Sequence, residues 1–282
     1  MQERLDIAES MGVRRLRAPS AVAAMARVGY AARGFVYLII GGFAVSAAIG
    51  SGTRTVGNKG VAVALLGQPF GRVLLALLAA GLLCFAGWRA LQAFADADRH
   101  GRGLKAIVQR SAYAGGALLY ALLAAWAFTA VVGWTIGGRN EEKPVHDWTE
   151  WLLEMPFGPW LVALIGVVLV ATGIGIAIKK TFSGQVQRNL VPDAGRWVLL
   201  LGRVGFLARA VVFVLMGSFL ISAAIHVNSR DAKGLAGALR SLEQYRYGWI
   251  LLGLTAAGFL AFGAYELVQT LYRRVDARAV EK

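Results

Sequence analysis

Six long runs of uncharged, mainly apolar residues divide the chain, and the charged residues gather between them. A bilayer core of about 30 Å is crossed by roughly 20 helical residues. Most of the runs reach this length, and the second spans if Arg72 or Arg89 extends its charge to an interface. The lack of strict alternation favours helices over barrel strands. The pattern therefore predicts an all-α integral membrane protein with transmembrane helices over residues 34–53, 73–88, 111–138, 155–178, 210–229 and 247–265.

A shorter amphipathic stretch precedes every second run. Residues 58–65 and 231–239 share a Lys-Gly pair that is followed by alanines and leucines. In the middle copy, Asp147 and Glu150 have the spacing of a capping box. We expect a brief helix at each place, on the membrane face opposite the chain ends. Aromatic anchors at this interface are expected at Trp148, Trp151 and Trp160.

The predicted transmembrane helices fall into three copies of a two-helix unit. Each copy begins with an arginine, followed three residues later by an aromatic residue and after seven more by another. The arginines are Arg27, Arg110 and Arg203. Because each unit crosses twice, all copies share one orientation and are related by an axis along the membrane normal. We expect a pseudo-threefold bundle of parallel repeats.

These openings also set the predicted boundaries along the chain. The N-terminal basic arm is expected to be a disordered tail or an amphipathic interfacial helix, and the sequence leaves both open. The predicted divisions are the arm (1–26), repeat 1 (27–95), repeat 2 (110–182), repeat 3 (203–275) and a cytoplasmic tail (276–282).

Small residues recur in the first helix of each copy. Their spacing lets helix backbones approach closely in lipid, so we expect contacts at Gly42, Ala125 and Ser218. A small hydroxyl residue follows four positions later and has two interpretations. It lines a narrow polar lumen on the axis, or it bonds to its own preceding turn. The trio is Ser46, Thr129 and Ser222.

Composition and charge support a membrane protein with a defined orientation. Hydrophobic residues make up 57% of the 282 residues, charged residues make up 16%, and the net charge is +14. The ends and loops on one side carry 18 lysines and arginines, whereas those on the other side carry 8. Because basic loops stay in the cytoplasm, both termini are predicted to be cytoplasmic. The basic surface then faces anionic headgroups, and we expect no nucleic-acid partner.

Residue types that serve catalysis or metal binding are sparse. The single cysteine, Cys84, lies in an apolar run, which excludes an internal disulfide and predicts a small core residue. The histidines His100, His146 and His226 do not form the facing pair that a haem or metal site needs. An acidic outer loop around Glu142 is expected to be solvated rather than to bind a cation. We therefore predict no cofactor, no metal and no enzymatic activity.

Arginines near the predicted cytoplasmic ends of the helices form a candidate site for an anion or anionic lipid. Arginine binds phosphate through paired hydrogen bonds, and the repeat brings equivalent arginines around the axis. The alternative is that they only set the orientation. The candidates are Arg27, Arg33, Arg110, Arg203 and Arg209, and in the middle copy Gly116 takes the place of Arg33 and Arg209.

Arg89 and Glu266 occupy equivalent positions in the first and third copies, with Ile176 in the middle one. One hypothesis pairs these opposite charges inside the bundle. The other places both near the inner interface, about 27 Å from the start of their helices. In that case Arg89 snorkels, and a nearby arginine, Arg273 or Arg274, neutralises Glu266.

The threefold Arg-x-x-aromatic opening, with Pro-Phe-Gly at 69–71 and 156–158, resembles the bacterial membrane proteins of the domain of unknown function 1206 family. The resemblance covers about residues 27–275. It implies three copies of a two-helix membrane domain in a bacterial plasma (inner) membrane. It implies no established activity and no functional residues.

Three hypotheses for function follow. The leading one is a non-enzymatic scaffold, accessory subunit or envelope factor that contacts anionic lipid. The first alternative is a small channel or transporter with a path along the pseudo-threefold axis. The second is a membrane enzyme acting on a lipid or quinone. The sequence leaves open the ligand, the protein partners, the oligomeric state and whether the axis is dry.

Overall fold

The computed structural model describes residues 21–51, 55–95, 103–134, 142–182 and 196–272, and it contains no strand within them. Six of its helices are long and apolar enough to cross a membrane, which confirms the predicted all-α membrane fold. A π-helical turn (Ala177–Phe182) continues α6, and a 3-10 turn (Ser229–Asp231) precedes α8. The α-helices are α1 (Ala21–Ala48), α2 (Asn58–Leu66), α3 (Gly71–Phe94), α4 (Leu104–Val132), α5 (Lys143–Leu153), α6 (Gly158–Ile176), α7 (Arg196–His226), α8 (Leu235–Glu243) and α9 (Gly248–Tyr272).

The first helix of each repeat begins ahead of the arginine that defines the repeat. Helix α1 begins at Ala21, so residues 21–26 of the predicted arm belong to the first spanning helix. Alanine has the highest helix propensity, and this segment is rich in it. The rest of the arm and the tail 276–282 lie outside the described residues.

The short helices α2, α5 and α8 each follow an odd number of crossings and therefore share one face, here called the short-helix face. The described chain ends lie at the opposite face, here called the terminal face. Helix α5 begins at Lys143 with a proline in its first turn, so Asp147 lies inside the helix and the predicted capping box is wrong. The predicted anchors are exposed, at 41% for Trp148, 60% for Trp151 and 78% for Trp160.

Each short helix leads into the next spanning helix through the same tight turn. Phe70 and Phe157 adopt left-handed φ values of 60° and 64° in it. The glycine that follows packs on the end of the short helix, where an added Cβ would come within 2.1 Å of a carbonyl oxygen. The glycine of the repeated aromatic-glycine pair is therefore a steric requirement of the turn. The glycines are Gly71, Gly158 and Gly248.

The spanning helices pack side by side in the order α4, α3, α1, α9, α7, α6. The most extensive contacts, α3 with α4, α9 with α1 and α6 with α7, join one repeat to the next. The hairpins of repeats 1 and 3 also pack, but α4 and α6 of repeat 2 make no extensive contact in the described residues. These two helices bury 17% of their most apolar windows, against 33% to 50% for the other four. The three repeats thus form an arc that is open between α4 and α6.

Small residues at equivalent positions let the repeats approach closely at their junctions. A Cβ added to Gly34 of α1 would lie 2.9 Å from the carbonyl oxygen of Gly263 in α9. Gly173 of α6 meets Ala210 of α7 in the same way, at 2.8 Å. The aligned residues at the third junction are Ala86 and Ala117.

The predicted contact residues Gly42, Ala125 and Ser218 are exposed, so that prediction is wrong by one position. The residues that are buried at helix contacts come one earlier, at Gly41, Ala124 and Gly217. A repeated spacing gives the period of a helix face but not which face meets a neighbour.

The hairpins of repeats 1 and 3 close around a glycine-phenylalanine contact. Gly29 of α1 packs on the backbone of Phe85 in α3, where an added Cβ would lie 2.6 Å from the phenylalanine Cα. Gly205 of α7 packs on Phe262 of α9 in the same way, at 2.5 Å. In repeat 2 the corresponding residues are Ala112 and Thr172. The residues that allow the close crossing are therefore missing from repeat 2, whose hairpin is open.

Apolar side chains fill the centre of the bundle towards the short-helix face. The largest cluster includes residues of α1, α3, α4, α7 and α9 together with the short helices α2 and α8. Among its fully buried members are Ile40, Leu75, Leu239 and Leu252. Packing at this level provides no polar path along the axis in the described part of the chain.

Candidate anion site at the repeat junctions

Arg33 and Glu266 form a buried salt bridge where repeat 1 meets repeat 3. Arg33 Nη1 donates to Glu266 Oε1 at 3.0 Å, and the side chains are 4% and 1% exposed. The pair joins α1 to α9 across 233 residues of sequence. Charges inside a membrane bundle are tolerated mainly when they are paired, so each of these residues requires the other.

The hypothesis that Glu266 pairs with Arg89 is therefore wrong about the partner. Glu266 does lie about 27 Å along α9 from its first residue, but its side chain turns into the bundle instead of towards an interface. Arg89 Nη1 donates to Gln92 Oε1 at 3.2 Å on its own helix. The other expected partners of Glu266, Arg273 and Arg274, lie outside the described residues.

Arg89 supplies the guanidinium that the first helix of repeat 2 lacks. Arg33 of α1 pairs with α9, and Arg209 of α7 lies against rings of α1 and α9, but Gly116 holds the equivalent place in α4. At that junction Arg89 extends from the facing helix α3, and its Cζ lies 5.1 Å from the ring centre of Tyr113 in α4. One helix of each repeat-to-repeat pair, α1, α3 and α7, therefore contributes one guanidinium. Arg33, Arg89, Arg209 and Glu266 are here called the arginine cluster.

Shared aromatic rings connect the arginines of the cluster. The Cζ atoms of Arg33 and Arg209 lie 5.2 and 4.7 Å from the centre of the Phe262 ring, so they are no more than about 10 Å apart. The Cζ atoms of Arg33 and Arg89 each lie 5.0 Å from the centre of the Phe85 ring. Such contacts stabilise a desolvated cation by about 2 kcal/mol. Tyr120 of α4 lies within electrostatic range of all three arginines.

The cluster carries more positive than negative charge. Arginine stays protonated in proteins, and Glu266 is the one acidic residue in the described spanning helices. The Nε atoms of Arg33 and Arg209 and Oε2 of Glu266 are buried without a hydrogen-bond partner. Buried donors that lack a partner are costly, above all on charged groups. The arrangement can therefore accept an anion that receives hydrogen bonds from two arginines.

The other predicted arginines do not join the cluster. Arg27 and Arg203 are exposed near the terminal face. Arg110 donates from Nε and Nη2 to the carbonyl oxygens of Ala93 and Phe94, at 2.6 and 3.1 Å. It thereby satisfies carbonyls that have no partner at the end of α3. Of the five predicted anion ligands, the structure brings together Arg33 and Arg209.

The hydroxyl trio is not joined by any contact in the described residues. Thr129 Oγ1 donates to the carbonyl oxygen of Trp126, at 2.8 Å, in its own turn. Ser222 Oγ donates to Asp231 Oδ2 at 3.1 Å, whereas the partly buried Ser46 accepts a hydrogen bond from Ser51 through its carbonyl oxygen. These contacts fit local bonding and packing better than a shared lumen.

A small polar group lies at the short-helix end of α7. His226 Nδ1 lies 2.7 Å from Asp231 Oδ2. The hydrogen bonds from His226 and then Ser222 hold the pKa of Asp231 below its ordinary value, although burial acts in the opposite direction. The group ends α7 and stabilises the turn before α8.

Glu142 fastens repeat 2 to repeat 3 at the short-helix face. Its Oε2 and Oε1 atoms accept hydrogen bonds from the backbone N–H groups of Gly234 and Gly237, at 2.7 and 2.8 Å. A carboxylate is favoured there because the first N–H groups of α8 have no helical partner. The acidic loop thus supplies a helix cap. No group of three or more potential metal ligands occurs in the part of the chain that is described.

Comparison of equivalent positions missed Arg89 as the third arginine of the cluster, because it lies on a second helix. The sequence nevertheless contains a pattern that indicates this place for Arg89. When each first helix is aligned with the second helix of the preceding repeat, Arg89 faces Gly116 in the place where Glu266 faces Arg33.

Comparison with known proteins agrees with the threefold arrangement. The model of the family described as Domain of Unknown Function (DUF1206) matches residues 28–96, 111–179 and 204–273. The chain is 30% identical over 257 residues to "Uncharacterized protein YxxB" of Bacillus subtilis (strain 168), which covers 88% of this chain and 90% of that protein. No solved structure matches the chain. The resemblance seen in the repeated openings is confirmed: the chain belongs to the Domain of Unknown Function (DUF1206) family.

Proposed function

We propose that this is a non-enzymatic protein of the bacterial plasma membrane that binds anionic phospholipid at the arginine cluster, as a scaffold, accessory subunit or envelope factor. The observation that carries the proposal is that three guanidinium groups, one buried and two partly buried, face a single carboxylate. Arg33 and Arg209 each hold a buried Nε without a partner. A phosphate group supplies acceptors for both, with charge-assisted hydrogen bonds of about 2.8 Å.

The position of the cluster fits a lipid headgroup of the cytoplasmic leaflet. Glu266 and its partner lie in the part of the spanning helices nearer the terminal face. The basic segments flank that face, and basic segments favour the cytoplasm and its anionic lipids. We therefore place both termini in the cytoplasm and the bound phosphate at the depth of the inner-leaflet headgroups.

The two alternative functions have less support. A channel needs a polar path, but apolar residues of five spanning helices meet in the central cluster of the described bundle. An enzyme needs an acid or base that is free to react, and the carboxylate in the arginine cluster is held in a salt bridge by Arg33.

Lipid retention by two arginine variants of α7 tests the proposal. Arg209→Gln removes a guanidinium from the cluster, whereas Arg203→Gln makes the same change at an exposed site of the same helix. Hydrogen bonds to charged groups contribute about 1.5 to 3 kcal/mol. We therefore expect Arg209→Gln to lower retention of phosphatidylglycerol at least about tenfold in native mass spectrometry.

Arg203→Gln is expected to leave this retention unchanged, and phosphatidylcholine is expected to be retained weakly by every form. Equal phosphatidylglycerol retention by wild type and the Arg209→Gln variant would contradict the proposal. Equal losses in the two variants would assign the binding to the basic surface instead of the cluster.

A further inference from the structure

The second helices of repeats 1 and 3 each add a phenylalanine ring to the arginine cluster, whereas the second helix of repeat 2 adds none. Phe85 and Phe262 occupy equivalent positions in α3 and α9, each packs on a glycine of its own hairpin, and each stacks on arginines of the cluster. The equivalent residue of α6 is Thr172, which is exposed. On the side of repeat 2, Tyr113 and Tyr120 of α4 lie against Arg89 and Arg33, but α6 adds no ring to close the cluster.

Small residues leave space along the two helices at this side. Gly115 and Gly116 of α4 and Gly175 of α6 have no atom within 4 Å of the place where a Cβ would lie. Val168 stands where repeats 1 and 3 have the glycine that packs on the first helix, and it is 54% exposed. The sequence of repeat 2 thus removes the contacts that close the other two hairpins.

We propose that this opening between α4 and α6, here called the lateral port, admits one anionic phospholipid from the bilayer. Its phosphate reaches Arg209 and Arg33, and its acyl chains stay between the two helices. The inference rests on the proposed function and adds the source of the phosphate and its route. Because the port faces the bilayer between two spanning helices, its apolar lining next to the arginine cluster suits an amphipathic lipid better than a free ion.

Charge complementarity distinguishes the lipid from a second copy of the chain. The cluster requires an acceptor with negative charge. A second copy could present only Glu266 from its described spanning helices, and that side chain is 1% exposed within its own bundle. A phospholipid brings a phosphate and chains together, so one molecule satisfies both the cations and the apolar walls.

Restoring the missing ring tests the lateral port. Thr172→Phe gives α6 the residue that α3 and α9 carry at this position, and we expect it to fill the port beside the cluster. Phosphatidylglycerol retention in native mass spectrometry should fall at least about tenfold. Ile174→Phe is the matched control, because it adds a ring to the same helix about 200° around its axis, at a side chain that is 49% exposed. This control should retain lipid as wild type does.

The outcomes separate the port from the cluster itself. If Thr172→Phe retains lipid while Arg209→Gln loses it, the lateral port is overturned and the proposed function stands. If both variants retain lipid, both proposals fall. Inorganic phosphate supplies a third arm: if phosphate stabilises detergent-purified wild type and the Thr172→Phe variant equally against unfolding, the anion enters from the aqueous face, and the route is overturned.

A photoreactive residue at position 112 identifies what occupies the port. Irradiation in membranes that contain phosphatidylglycerol is expected to add the mass of one phospholipid to the protein. A covalent dimer in place of the lipid adduct would mean that a second copy covers the opening, which would contradict the proposal.

Discussion

Glu266→Gln is expected to lower the free energy of unfolding by about 3 to 5 kcal/mol in a zwitterionic detergent. The substitution preserves shape but removes the negative charge of the cluster, so Arg33 remains buried at 4% exposure without its counterion. The repulsion among three guanidiniums then acts in a medium of low dielectric constant. Thermal or SDS-induced unfolding of the purified protein measures the loss.

The double variant Arg33→Met with Glu266→Met controls for lost shape. Replacing both members of a buried pair by apolar residues is often close to neutral, so most of the lost stability should return. Added phosphatidylglycerol is expected to reduce the loss in the Glu266→Gln variant, because a bound phosphate restores negative charge. A Glu266→Gln protein as stable as wild type, with or without lipid, would show that the pair does not hold α1 to α9.

Gly158→Ala is expected to destabilise the protein by about 3 kcal/mol. The new Cβ would lie 2.0 Å from the carbonyl oxygen of Leu152, so the turn between α5 and α6 must open, and overpacking of this kind is costly. Gly71→Ala and Gly248→Ala should act alike, because their Cβ atoms would meet the carbonyl oxygens of Leu65 and Leu242 at 2.1 and 2.0 Å. Unfolding of the three variants in one detergent measures the effect.

Gly115→Ala provides a control of opposite sign. No atom lies within 4 Å of its added Cβ, and alanine is favoured over glycine inside a helix by about 1 kcal/mol. It should therefore stabilise the protein slightly. Equal changes in stability for Gly158→Ala and Gly115→Ala would contradict the steric role of glycine in the turn.

The sequence specified most of the architecture because its signals are local. Run length, the threefold opening at Arg27, Arg110 and Arg203, and the short segments before the second helices each depend on residues close in the chain. The structure adds six candidate spans and short helices at the expected places. The first spanning helix begins earlier than predicted, because the alanine-rich segment from Ala21 extends it ahead of the apolar run.

The arginine cluster depends on contacts that local patterns do not encode. Alignment of the repeats predicted Arg33 and Arg209 as candidates, with Gly116 in their place in the middle copy. Only the pairing of α3 with α4 shows that Arg89 takes the third place. The Arg33 and Glu266 pair likewise requires the first and last spanning helices to be neighbours.

The open side of repeat 2 arises from residues whose effect is visible only once the packing of the other two hairpins is known. Ala112, Val168 and Thr172 replace the residues that close the other hairpins. Each change is modest by itself. Their effect follows from the glycine-phenylalanine crossings of repeats 1 and 3, in which the helix backbones come too close for larger residues.

In the proposed function, the arginine cluster holds the phosphate of an anionic phospholipid. An electron cryomicroscopy map of the protein in phosphatidylglycerol nanodiscs tests it most directly. We expect headgroup density between Arg33 and Arg209, with chain density between α4 and α6, and neither feature in phosphatidylcholine. A well-resolved cluster without such density, with the same side-chain arrangement in both lipids, would contradict it.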